Sequence, residues 1–262
     1  MTFPHILILF ISAIIGGTLN SVAGGGSFFT FPALIFVGVP AIAANASSTV
    51  ALLPGTAASI GAYRREIVQL QRGFLILMVG TSLVGGIIGA ILLLLTPAST
   101  FQILIPYLLL MATLLFALSG PITARLRVRN VGKMHLTARV LIIVALAQLV
   151  IATYGGYFGG GIGILMLATL AMMGMENIHI MNGLKVILTA CINGVAAIIF
   201  IIHQVVYWPE TLLMIVGAII GGYGGAYFAR KIDPKLVRGF VIVIGLAMSA
   251  YFFINIYILH NA

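Results

Sequence analysis

The sequence predicts an all-α polytopic membrane protein: two inverted repeats of about five helical segments each, with short or broken helices at glycine-rich breaks. Composition, the distribution of positive charge and an internal repeat lead to this expectation. Of the 262 residues, 62% are hydrophobic and 6% are charged, against about 45–50% apolar and about 25% charged in a soluble domain. Mean hydropathy is +1.23. So few charges cannot cover a water-facing surface, which excludes a soluble enzyme, a nucleic-acid binder and a disordered regulator.

Apolar runs recur along the chain with short polar connections between them. The clearest are Ile6–Thr18, Phe74–Leu95, Phe101–Leu118, Val140–Thr153, Met181–Ile202, Leu212–Phe228 and Val237–Leu259. Several approach the ~20 residues that cross ~30 Å of hydrocarbon at 1.5 Å per residue. In lipid, backbone groups must be satisfied by a helix or a closed barrel. Unalternating runs of this length are helices, because barrel strands alternate polar and apolar over about 10 residues. The first run has no basic flank and continues into glycines, so it reads as a retained span and not a signal peptide.

Twelve of the thirteen Lys and Arg residues fall in three stretches: Arg64, Arg65 and Arg72; Arg125, Arg127, Arg129, Lys133 and Arg139; and Arg230, Lys231, Lys235 and Arg238. This is the positive-inside pattern. It predicts a multi-pass protein of the cell (inner) membrane with loops 63–73, 122–139 and 229–238 on the cytoplasmic side.

The chain repeats itself at an offset of 135 to 139 residues. Ala23-Gly24-Gly25-Gly26 opens a short apolar segment, as Phe158-Gly159-Gly160-Gly161 does later. Each is followed by a longer segment with an Asn near its start, Asn45 or Asn182, and then by a turn at Val68-Gln69 or Tyr207-Trp208. A glycine-rich helix follows, with Gly85-Gly86-x-x-Gly89-Ala90 matched by Gly221-Gly222-x-x-Gly225-Ala226. The expected organisation is a first repeat over 1–121, a basic cytoplasmic linker over 122–138 and a second repeat over 139–262. Segments near Phe28–Val37 and Ile162–Met173 are too short for ordinary spans and read as half-helices or broken helices. Five crossings per half put all three basic loops on one side and invert the halves; four plus four with re-entrant pieces is the alternative.

The glycine triplets are the first candidate site. A helix broken at bilayer depth frees N–H groups, and helix N-termini carry partial positive charge that suits anions. Asn20, Ser21, Gly24, Gly25, Gly26 and Ser27 form one candidate cluster, and Tyr157, Gly159, Gly160 and Gly161 its counterpart. The competing reading is close helix packing by small residues. Asn45, Ser47, Ser48 and Thr49, with Thr56 further along, form a second constellation. Its counterpart is the helical stripe Asn182, Lys185, Thr189 and Asn193. Such stripes face protein or water rather than lipid; interhelical hydrogen bonding and ligand binding both explain them. Lys185 is the one cation outside the basic stretches. It reads either as an anion ligand or as a side chain snorkelling from about two turns inside the helix.

Glu66, Glu176, Glu210 and Asp233 are the only carboxylates, all in or beside predicted connections. Cation carriers and proton pumps place acids within the span, so a cation or metal substrate is disfavoured. The five histidines lie near segment ends without metal-ligand spacing. Cys191, the lone cysteine, reads as a packing residue. Glycine rows at Gly85/Gly89 and Gly217/Gly221/Gly225 fit close helix packing. No metal, cofactor or enzyme active site is expected.

The stretch Gly16-Gly17-Thr18-Leu19-Asn20-Ser21-Val22-Ala23-Gly24-Gly25-Gly26-Ser27 resembles the first repeat of the sulfite exporter TauE/SafE family of membrane permeases. The Asn45 segment and the Gly159–Gly161 triplet are also similar to that family, and the resemblance spans essentially the whole chain. It implies an inner-membrane carrier that moves small sulfur-containing anions, such as sulfite or organosulfonates, generally outward. The second half departs from the first, with Ile162 where Ser27 stands and Lys185 near the place of Ser48. A site shared between halves would be chemically asymmetric. The expectation is a secondary transporter with alternating access between the two repeats; an anion channel, or a permease for another small anion, is the alternative. Expected partners are a small anionic substrate and the lipid bilayer, with a homo-oligomer left open and no nucleic acid.

Overall fold

The computed structural model describes residues 2–22, 25–129, 138–173, 175, 177–228 and 234–259. The described residues are almost entirely helical, in the order α1 (Phe3–Val22), α2 (Ser27–Phe36), α3 (Ala41–Ala62), α4 (Arg64–Ile67), α5 (Arg72–Leu95), α6 (Ala98–Arg129), α7 (Ala138–Tyr157), α8 (Ile162–Met172), α9 (Ile178–Ile202), α10 (Trp208–Phe228) and α11 (Pro234–Phe253). A π-helical stretch, Ile254–Leu259, continues α11. Helix α6 runs to Arg129, so the first part of the expected linker is helical. The rest of that linker, and residues 229–233 of the third basic stretch, lie outside the described residues.

Helices α1, α5, α6, α9 and α11 contain stretches long and apolar enough to cross a membrane. The short segments are real helices of 10 (α2) and 11 (α8) residues. The outer faces of α5 and α7 expose large apolar side chains, as at Ile76, Leu95, Ile142 and Val150. An apolar exterior of this kind belongs in lipid rather than water.

Small residues set the tightest packing. A Cβ added at Gly217 of α10 would stand 2.9 Å from Ala13 Cβ of α1, and one at Gly85 of α5 would stand 2.8 Å from the Leu149 carbonyl oxygen of α7. Gly89 and Gly221 press on the backbones of Thr153 and Ile14 in the same two interfaces. The glycine rows are therefore packing devices, as the sequence suggested.

Packing crosses between the halves. The first helix of each half lies against the glycine-rich helix of the other, α1 on α10 and α7 on α5. The third helices follow suit: α3 packs on α10, and α9 on α5. Helix α8 rests on α6 and α2 on α11, while α3 meets α9 and α6 meets α11. Exchanging the halves leaves this pattern unchanged. The packed units are accordingly α1, α3 and α10 on one side and α5, α7 and α9 on the other, each drawn from both halves of the chain.

Candidate functional site

Both glycine triplets interrupt the helices. Gly25 adopts φ +98°, and Gly159 and Gly161 adopt φ +78° and +75°. These are left-handed conformations that glycine reaches without steric cost. The second break is pinned by side chains: the Tyr154 hydroxyl donates to the Gly160 carbonyl at 2.7 Å, and Asn45 Nδ2 donates to the Tyr157 carbonyl at 2.9 Å.

Where the breaks meet α3 and α9 there is a cavity of about 30 Å³. Asn20, Gly25 and Ser27 line it from the first break, and Gly159, Ile162 and Gly163 from the second. Thr49, Leu52 and Thr56 of α3 face Lys185, Val186, Thr189 and Asn193 of α9. Thr49 and Val186, Leu52 and Thr189, and Thr56 and Asn193 stand at one repeat offset. The two helices thus contribute matching positions with different chemistry.

Lys185 is the charge in this cavity. It is only 5% exposed, and its stem lies along Gly163, where an added Cβ would stand 3.1 Å from the lysine Cδ. A side chain at position 163 would compete for that space. Among the described residues, no hydrogen bond or ion pair holds the ammonium. Lys185 is one of the residues that line the cavity. Ser27 is the first residue of α2, and Ile162 and Gly163 are the first two of α8. First-turn N–H groups lack intrahelical acceptors and carry the positive end of the helix dipole. Two helix N-termini and an unpaired ammonium therefore border one small space.

The neutral groups are partly committed. Asn20 Nδ2 donates to Thr56 Oγ1 at 2.6 Å, and Thr56 Oγ1 donates to the Leu52 carbonyl at 3.0 Å. Thr49 Oγ1 donates to the Asn45 carbonyl at 2.9 Å. Thr189 Oγ1 lies 3.8 Å from Met166 Sδ, a weak contact that leaves its hydroxyl free to turn. The α3 wall presents lone pairs, while α9 and the α8 start present donors.

Of the residues singled out from sequence, Asn20, Gly25, Ser27, Thr49, Thr56, Gly159, Lys185, Thr189 and Asn193 line the cavity. Others are placed beside it. Asn45 is 2% exposed and ties α3 to the end of α7. Ser48 shares a 2.6 Å hydrogen bond with Thr30 of α2. Gly26 packs against the Gly16 backbone, Gly160 accepts from Tyr154, and Gly161 lies near Ala112. Tyr157 stacks edge-on against Phe101, with its hydroxyl 3.4 Å from Thr96 Oγ1. Asn182 is half-buried one turn beyond the lining. Gly24 and the Ser21 side chain lie outside the described residues. Leu52, Ile162, Gly163 and Val186 were not singled out from sequence; the repeat offset was the available signal, since three of them are equivalents of residues that were.

Asn45 therefore positions the second break from outside the cavity. Asn45→Ala is expected to destabilise the protein by about 1–3 kcal/mol, because the part-buried Tyr157 carbonyl loses its donor. Thermal unfolding in detergent measures this; an unchanged transition would show that the joint does not depend on the amide.

A larger apolar groove of about 410 Å³ between α5 and α7, bordered by Ile88, Leu92, Val150 and Tyr157, has no charged lining residue. It offers nothing to fix an ion. Fold and cavity together define a polytopic helical membrane protein with a small cationic chamber at paired helix breaks. Residues 9–252 match the family model for sulfite exporter TauE/SafE, and the chain belongs to that family of membrane transporters. It is 27% identical over 253 residues to the probable membrane transporter protein ORF9 of Sinorhizobium sp, covering 95% of this chain and 92% of that protein. It is also 27% identical to the probable membrane transporter protein YfcA of Escherichia coli K12, covering 95% and 90%. Against a probable membrane transporter protein of Haemophilus influenzae the identity is 25%, covering 93% and 92%. No solved structure matches the chain.

Proposed function

We propose that the protein is a secondary carrier for a small sulfur-containing anion, sulfite or an organosulfonate head group, in the inner membrane with its basic segments toward the cytoplasm. Lys185 carries this reading: a largely buried lysine without a hydrogen-bond or ion-pair partner among the described residues, in a cavity bordered by the starts of α2 and α8. A buried charge is stable only when paired, and an anion supplies the pair. The family description agrees with a sulfur oxyanion. Cavity size favours a compact ion over an extended one, so a longer sulfonate requires the walls to part.

The halves are inverted repeats in this proposal, and their exchange-invariant packing supports it. Alternating access then moves the unit of α1, α3 and α10 against that of α5, α7 and α9. The cavity sits between them, in the arrangement that inverted-repeat carriers use.

Titrating purified protein with sulfite, sulfoacetate, taurine, sulfate and thiosulfate tests the reading. Saturable binding of at least one, with counterflow of that anion in proteoliposomes, is the expected result. Binding of none overturns the anion site, and unitary conductance without counterflow overturns the carrier in favour of a channel.

A further inference from the structure

We infer that the protein is an obligate exchanger, in which one anion leaves the site only as another enters; this rests on the anion-carrier reading above. The cavity holds a cation but no built-in counter-ion. None of its thirteen lining residues is Asp or Glu, and Lys185 is the one titratable side chain among them. Among the described carboxylates, Glu66 of α4 packs on α9, its Cβ 3.6 Å from where a Cβ on Gly183 would stand. Gly183 is two residues before Lys185, about 200° around α9, so Glu66 covers the opposite side of that helix. Tyr63, Arg64, Arg72, Tyr154 and Tyr157, on or beside the other elements packed against α9, also lie outside the lining.

The consequence concerns the empty carrier. Passing from one open side to the other requires a closed arrangement in which the cavity is sealed. With an anion aboard, the Lys185 charge is balanced throughout. Without one, the ammonium is left in a small cavity of about 30 Å³ in which Leu52, Ile162 and Val186 form apolar wall. The empty closed form is therefore raised relative to the loaded one. An uncompensated lysine at bilayer depth corresponds to a factor on the order of 100 on the insertion scale. Loaded carriers turn over and empty ones stall, so net release of a single anion is slow and one-for-one exchange is fast.

Efflux of radiolabelled sulfite from proteoliposomes, held at zero membrane potential and equal pH, separates the cases. Release into gluconate buffer is expected to be roughly 100-fold slower than release into the same buffer containing unlabelled sulfite. Lys185→Met, which keeps most of the stem and removes the charge, is expected to bring that ratio close to one. Equal wild-type rates with and without external sulfite overturn the exchanger and leave the anion carrier standing. Fast release into gluconate with one proton leaving per anion also overturns it, since the lysine would then shed its charge rather than wait for a partner. Failure of sulfite and of every other anion in the binding series to bind or move overturns both readings at once.

Discussion

Lys185→Met is expected to weaken anion binding about 100-fold while leaving the unliganded protein at least as stable as the wild type. The two effects have opposite signs for one reason. In the loaded site the ammonium makes a buried charge pair, and removing one partner of such a pair costs about 2–5 kcal/mol of binding; about 3 kcal/mol corresponds to the stated loss. In the empty site the same ammonium is a desolvated charge held by no described residue, which costs about 2.5–3.5 kcal/mol at bilayer depth. Methionine fills the space along Gly163 without that cost. Binding isotherms and thermal unfolding of the same preparation measure both signs. A parallel fall in affinity and stability would make Lys185 a structural residue.

Thr49→Asp should be more damaging still. Thr49 lines the wall facing Lys185, and aspartate is close to it in size. A carboxylate there gives the ammonium a permanent partner and repels incoming anions. Loss of the attraction and gain of a repulsion together are expected to reduce affinity by more than about 1000-fold. Thr49→Asn, a neutral change of similar volume, is expected to stay within about tenfold. Stability of the aspartate variant should be kept or raised, because the internal pair satisfies Lys185. If both variants lose binding equally, the α3 wall acts through shape and not through charge.

Much of this site was legible from residue order. Glycine triplets followed by segments too short to span marked both helix breaks, and the left-handed φ values at Gly25, Gly159 and Gly161 bear out the need for glycine. The lone lysine in an apolar run marked the charge. Less legible was the depth at which a polar residue stands. Asn45, Thr49, Leu52 and Thr56 share one face of α3 by their spacing of four, three and four, yet only the last three reach the cavity. One turn further along, the end of α7 covers that face and captures the Asn45 amide. Ser48 lies to the side of the stripe, where Thr30 of α2 meets it. Periodicity gives the angle around a helix but not which neighbour waits at each level.

The long apolar helices and their short partners were legible in the sequence alone, because hydrocarbon tolerates few charges and unpaired backbone groups are costly in it. Only the tertiary structure decided that packing units cross the halves, with α1 on α10 and α7 on α5. It also decided that Lys185, largely buried, lines the small cavity where the two helix breaks meet α3 and α9. Those outcomes depend on which small-residue faces fit together and on what covers each turn of a helix, and both are properties of distant segments brought into contact.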